Sequence, residues 1–162
     1  MYKKIIGILT VIMAVLTIIN NISDNYILVS GESMLPNLED GQKVRVIEID
    51  DTTTINRFDI VVAEKEENYN IIKRVIGLPN ETVEYKDNHL YINGEPVTED
   101  FIDLYLVKTE DFSITLKENE YFLLGDNRNH STDSRELGPF LGQKLKFLVK
   151  CQNLRQTLEK MC

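Results

Sequence analysis

The sequence predicts a mainly β protein: an antiparallel sheet or barrel-like domain carried behind one N-terminal transmembrane helix. Three observations predict it. The opening 23 residues are apolar and carry no acid, the rest breaks into short β-prone runs separated by turn signals, and charge divides sharply between the two. The chain has 162 residues and a formal net charge of -8. Lys3 and Lys4 are the only charged side chains before Asp24, which leaves -10 on residues 24–162.

The first element is the apolar run Ile5 to Ile19, which extends through Asn20 and Asn21 to Ile22. Eighteen helical residues span about 27 Å, close to the ~30 Å hydrocarbon core of a bilayer. A buried core helix would show a polar face, and only Thr10 and Thr17 are polar in the run from Ile5 to Ile19. A cleaved leader would want two small residues before the cut, and Ile19-Asn20-Asn21-Ile22-Ser23 offers no such pair. Residues 1–23 are therefore expected to be a cytoplasmic N-terminus and an uncleaved anchor. The two lysines orient it with the N-terminus inside and residues 24–162 outside.

Beyond Asp24 the strands follow in order. Val44–Ile49 and Asp59–Ala63 are β-prone, and Glu64-Lys65-Glu66-Glu67 reads as a solvated hairpin tip before Asn70–Ile76. Thr82–Tyr85 and His89–Ile92 flank Lys86-Asp87-Asn88 as a hairpin, and Asn93-Gly94 signals a second tight turn. Phe112–Leu116 and Tyr121–Leu124 are expected to pair with each other. Lys144–Lys150 is a last strand, and 151–162 suits a short helix with Leu154, Leu158 and Met161 on one side.

Composition narrows the function. A basic face for phosphate is missing, so nucleic acid is not an expected partner. Two cysteines and two histidines do not supply a zinc site or a histidine base, and neither metal nor cofactor is expected.

Three segments place reactive groups on unusual backbone. Ser33 lies between Gly31 and Pro36, with two apolar residues, Met34 and Leu35, in what reads as a turn. These two either plug the core or touch something apolar, such as lipid. Lys73 lies in Ile71-Ile72-Lys73-Arg74-Val75-Ile76, where alternation puts one of two adjacent cations among apolar neighbours. Desolvation there favours the neutral amine. The polar stretch Gly125 to Arg135 follows an apolar strand, and its Asp, Arg and hydroxyl groups suit a buried support.

In order and spacing these segments resemble the type I signal peptidases, serine proteases with a Ser/Lys dyad. Ser30-Gly31-Glu32-Ser33-Met34-Leu35-Pro36 is similar to the nucleophile box and Arg57-Phe58-Asp59-Ile60-Val61-Val62 to the next strand box. Ile72-Lys73-Arg74-Val75-Ile76-Gly77-Leu78-Pro79 is similar to the base-bearing box, and Gly125-Asp126-Asn127-Arg128 through Asp133-Ser134-Arg135 to the last. The departures are Asn37, where threonine is frequent, and Phe58 and Asn80, where glycine is. The length and single anchor resemble the small form of Gram-positive bacteria.

The resemblance implies that Ser33 attacks the scissile carbonyl and that Lys73 is its base. It implies that Ser131 orients Lys73, that Asp133 and Arg135 form a buried ion pair with Arg128 nearby, and that the Ser33 amide, with Gly31, serves the oxyanion. The substrates implied are preproteins with N-terminal signal peptides, cut after a small residue. At most about 45 Å of chain separates Asn20 from Ser33, so the site is expected to work at the bilayer, with Met34 and Leu35 as membrane contacts and the protein a monomer. The competing readings are a non-catalytic accessory factor in surface-protein assembly, which would be expected to lack the serine or the lysine, and a self-cleaving repressor, which would need a DNA-binding segment.

Overall fold

The computed structural model describes residues 25–67, 69–103 and 108–150. The expected anchor, residues 1–23, and the expected C-terminal helix with Cys151 and Cys162 lie outside them. Among the described residues no helix is long and apolar enough to cross a membrane.

Among the described residues, eleven strands form two antiparallel sheets: β1 (Asn25–Leu28), β2 (Lys43–Glu48), β3 (Ile60–Glu66), β4 (Tyr69–Gly77), β5 (Thr82–Lys86), β6 (His89–Ile92), β7 (Glu95–Val97), β8 (Phe112–Thr115), β9 (Glu120–Leu124), β10 (Phe140–Leu141) and β11 (Leu145–Lys150). The larger sheet runs β1-β2-β11-β3-β4-β9-β10 and the smaller β7-β6-β5-β8. Both run from edge to edge, so the ladders do not close a barrel.

Alternation builds the core. In β3, Ile60 and Val62 face a cluster with Val29, Met34, Leu38, Val44 and Val46. Val61 and Ala63 face the other way, onto Val75, Leu123, Phe140 and Leu148. A third cluster joins the sheets through Ile76, Val83, Tyr85, Leu90, Phe122 and Leu124. The two expected turns form at Asp87-Asn88 and Asn93-Gly94, all at positive φ, as tight hairpins of this hand require.

The expected hairpin of Phe112–Leu116 with Tyr121–Leu124 does not form. β8 pairs with β5 and β9 with β4. Leu116 donates its amide to Glu81 O at 2.8 Å, and the chain then turns at Asn119 (φ 66°) into the other sheet. Phe112 and Phe122 meet between the sheets instead, with ring centroids 5.3 Å apart. That contact buries both rings against the third cluster, which a solvated hairpin would not.

Candidate active site

Ser33 lies on a compact turn after β1. The turn is closed by Leu35 N to Glu32 O at 3.1 Å and Leu38 N to Met34 O at 2.9 Å. It enters through Gly31 at φ 88°, a conformation that favours glycine. Met34 is 1% exposed in the first core cluster. This corrects the expectation that it contacts lipid. Burying such a side chain contributes about 1.5–3 kcal/mol, and the turn is pinned by that plug, so the serine beside it is held. Leu35 is half-buried, and the Leu35–Pro36 peptide is cis.

Lys73 comes from β4, forty residues further along the chain. Its Nζ donates to Ser33 Oγ at 2.7 Å and to the Ile72 carbonyl at 2.9 Å. The residue is 3% exposed. Burial lowers its pKa to about 8, against the pull of the Asp133 and Asp126 carboxylates. A cleft of about 530 Å³ opens over the pair, walled by Ile27, Leu28 and Val29 on one side and by Tyr69 to Ile72 on the other. Along Tyr69–Lys73, β4 pairs with β3 alone among the described residues, since β9 joins it from Arg74 onward. The strand therefore presents a free edge to the cleft.

Arg74 points away from Lys73 and is also buried. Its Nε and Nη2 donate to Asp126 Oδ1 and Oδ2 at 2.8 and 2.6 Å. Asp126 also accepts from Asn37 Nδ2 at 2.9 Å, which ties the serine turn to this pair. Asn127 ties it again, by its amide to Ser33 O at 3.0 Å and its side chain to Glu32 O at 3.1 Å.

The loop from 125 to 135 closes the site from behind. Asp133 is fully buried. It accepts from Arg135 Nε and Nη2, both at 2.9 Å, and from the Gly125 amide at 3.0 Å. Desolvation raises its carboxyl, but these donors outweigh it and hold the pKa below the usual value. The Arg135 side chain remains 22% exposed, so the expected ion pair forms but is buried on one side only. Arg128 lies close by through its backbone, its carbonyl accepting from Arg135 Nη2 at 2.8 Å. Its guanidinium turns elsewhere, to Glu99 at 2.5 Å and to the Tyr85 hydroxyl.

Two expected contacts are absent. The Ser131 hydroxyl is buried beside Gly125 and makes no hydrogen bond to Lys73, whose Nζ is committed to Ser33 and Ile72. The Gly31 amide donates to Asp40 Oδ1 at 2.7 Å, so it is not free for an oxyanion. The Ser33 amide makes no hydrogen bond among the described residues. No group of three or more His, Cys, Asp or Glu side chains among the described residues could hold a metal ion.

Sequence reasoning did not single out Asn37, Arg74, Asp126, Glu99 or Phe101 as site residues. The alternation around Lys73 placed only one of the two adjacent cations among apolar neighbours, so the burial of Arg74 beside it, and its partner carboxylate, were not read from the sequence. Glu99 and Phe101 carry no local signal.

A family model described as signal peptidase, peptidase S26, matches residues 2–148. Signal peptidase I V of Bacillus subtilis (strain 168) is 39% identical over 147 residues, 82% of this chain and 86% of that protein. Signal peptidase I of Streptococcus pneumoniae serotype 4 is 32% identical over 174 residues, covering 83% and 84%. The crystal structure of a signal peptidase I from Enterococcus faecalis V583 is similar with a TM-score of 0.56 at 36% identity, over 60% of this chain and 98% of that one.

Proposed function

The chain belongs to the signal peptidase family, peptidase S26, and acts as a signal peptidase I on preproteins that carry signal peptides; from that premise we propose that Ser33 and Lys73 perform the cleavage. The observation that carries the reading is the 2.7 Å approach of Lys73 Nζ to Ser33 Oγ in a cleft lined by apolar and polar side chains alike.

An extended signal-peptide segment lies along the free edge of β4 and presents its scissile carbonyl to Ser33. In the reactive form the amine is neutral and the serine hydroxyl donates to it. Lys73 takes that proton as Oγ attacks, then returns it to the leaving amine. The unengaged Ser33 amide donates to the developing oxyanion. Ser131, whose buried hydroxyl has no hydrogen-bond partner among the described residues, orients Lys73 in the reaction. The cut falls after a small residue with another small residue two before it.

At pH 7 an amine of pKa about 8 is neutral in roughly one molecule in ten, against about one in 2500 for an ordinary lysine. Residues 1–23 anchor the protein in the bilayer as a single pass, N-terminus inside and catalytic domain outside. It works as a monomer, without nucleic acid or cofactor. A membrane-side enzyme meets its membrane-held substrates at high effective concentration.

The test is cleavage of a preprotein by the detergent-solubilised chain, with N-terminal sequencing of the product. Ser33→Ala and Lys73→Ala should each reduce it by roughly 10³-fold or more, and the double variant should lose little beyond either, because the two act as a unit. A Lys73→Ala enzyme keeping a tenth of the activity would sink the assignment.

A further inference from the structure

Five contacts converge on a segment that no motif covers. After β7 the chain passes behind the active site as Glu99-Asp100-Phe101. Glu99 is 3% exposed, and its carboxylate accepts from Arg128 Nη2 and from the Tyr85 hydroxyl, both at 2.5 Å. The Phe101 carbonyl accepts from Asn37 Nδ2 at 2.8 Å. Its ring covers the Arg74 guanidinium, 4.1 Å from the centroid, and packs on Phe58 at 5.0 Å.

Each partner belongs to a different part of the site. Arg128 is in the loop after β9, Asn37 is in the Ser33 turn, and Arg74 adjoins Lys73. These three elements lie far apart in the chain; Asn37–Asp126, Asn127–Ser33 and Arg74–Asp126 already bond them to one another, and Glu99 and Phe101 add a second set of links from outside. A buried carboxylate is tolerated where it is paired and hydrogen-bonded, and Glu99 meets that condition only by holding Arg128 and Tyr85 together. An aromatic face on a guanidinium excludes water from the Arg74–Asp126 pair while stabilising its charge.

We infer that Glu99 and Phe101 are positioning residues for the cleavage reaction: they clasp the Ser33 turn to β4 and to the 125–131 loop, and so set the approach of Ser33 Oγ to Lys73 Nζ. The inference rests on the assignment of that dyad. Neither residue lines the cleft over Ser33, so neither touches substrate. Loosening the clasp therefore acts on the chemical step and not on binding. A misplacement of about 1 Å costs up to about 100-fold in rate. Water admitted behind Lys73 also moves its pKa back toward that of an ordinary lysine.

The test uses the full chain in detergent and a fluorogenic peptide with a small-x-small cleavage site. It measures kcat, KM, the acid limb of the pH profile and melting. Phe101→Leu removes the ring but keeps the backbone carbonyl, and Phe101→Tyr keeps both. Phe101→Leu and Glu99→Gln are expected to lower kcat by roughly 10- to 100-fold, leave KM within twofold, and shift the acid limb to higher pH, with Phe101→Tyr restoring it. Should Glu99→Gln or Phe101→Leu fail to fold, Tyr85→Phe, which removes only the hydroxyl that Glu99 and Arg128 share, decides by the same readouts. Folded variants with unchanged kcat and acid limb would overturn the clasp, whatever their melting. So would a raised KM at constant kcat. Ser33→Ala separates the two readings: if it stays active the dyad is wrong, and if it is dead while Phe101→Leu is normal only the clasp is.

Discussion

The two carboxylate oxygens of Asp126 hold Arg74 at 2.8 and 2.6 Å, while Lys73, the preceding residue in β4, has no carboxylate within 4 Å among the described residues. Two adjacent buried cations thus meet opposite fates. Alternation sends them to opposite faces of the strand. Arg74 cannot lose its proton in a protein, so it must be paired. Lys73 can, and its burial is relieved by deprotonation. Pairing Asp126 with Arg74 also keeps that carboxylate from acting as a full counter-ion to the lysine, which would hold it protonated.

The depressed lysine sets a stability prediction with a definite sign. Its pKa falls from 10.5 to about 8 on folding. Below pH 8 both states are protonated and the folded state bears the whole penalty, about 3 kcal/mol. Between pH 8 and 10.5 the folded state has released its proton and the unfolded state has not, so stability rises with pH until the penalty is gone. Lys73→Met should be inactive and more stable at pH 7. Two lost hydrogen bonds give back about 1 kcal/mol each, leaving a net gain of about 1 kcal/mol. Denaturant melts of both proteins at pH 7 and pH 10.5 check it; the gain should shrink or reverse at the higher pH, and a constant difference would mean that Lys73 is not desolvated.

Much of this was legible in the sequence, and the gaps have physical causes. Alternation around Lys73 and the Asp-Asn and Asn-Gly turn signals are local, so a desolvated lysine and two hairpins could be read. Pairing of β8 with β5 rests on contacts about 30 residues apart, and the spacing to Tyr121 suggested a nearer partner. Met34 was ambiguous because a turn does not show which way its apolar residues point. The departures at Phe58 and Asn80 fall at φ 71° and 67°, left-handed backbone where glycine is at ease. Phe58 is held there by a carbonyl bond from Arg74 Nη1 at 2.9 Å and by the Phe101 ring. Glu99 and Phe101 were invisible because their meaning lies wholly in what they touch.

Gly125 is required for close approach rather than for its φ. A Cβ there would fall on Ser131 Oγ and within 2.5 Å of the Ser33 carbonyl oxygen. The second obstacle is backbone and cannot rotate away. Gly125→Ala should push the Ser33 turn off the loop and reduce kcat by roughly 100-fold, the scale of an ångström-level misplacement. A folded protein by circular dichroism with that loss supports the reading, and near-normal kcat would place the turn further from Gly125 than the geometry has it.

The Asp133–Arg135 pair should matter unequally. Asp133 is fully buried and also accepts from the Gly125 amide, whereas Arg135 is partly exposed. Asp133→Asn is expected to cost about 3–5 kcal/mol, as for a broken buried pair, and Arg135→Ala about 1–3. The depressed carboxyl adds stability that is full above an ordinary aspartate pKa and lost as pH falls through its lowered one. Acid melts should therefore shift to higher pH in Asp133→Asn. Equal, small effects of both substitutions would contradict the burial.

Removing residues 1–23 separates chemistry from encounter. Ser33, Lys73 and every residue found to support them lie after residue 30, so the truncated domain should fold and cleave short peptides at a rate within a few fold of the full chain. Membrane-held preproteins should be cut far less well if, as proposed, residues 1–23 anchor the enzyme and so supply effective concentration. With Met34 in the core, the large exposed hydrophobics lining the cleft among the described residues are Leu28, 68% exposed, and Tyr69, 55% exposed, with Leu35 half-buried on the serine turn. So few side chains give only weak adsorption, and a domain charge of -10 opposes it on anionic vesicles. Neutral vesicles should therefore partly restore preprotein cleavage by the truncated domain, anionic ones should restore less, and Leu28→Ser, at the cleft wall, should reduce the vesicle-dependent gain by more than it reduces peptide cleavage. Equal preprotein cleavage with and without the anchor, in any lipid, would remove the membrane from the mechanism.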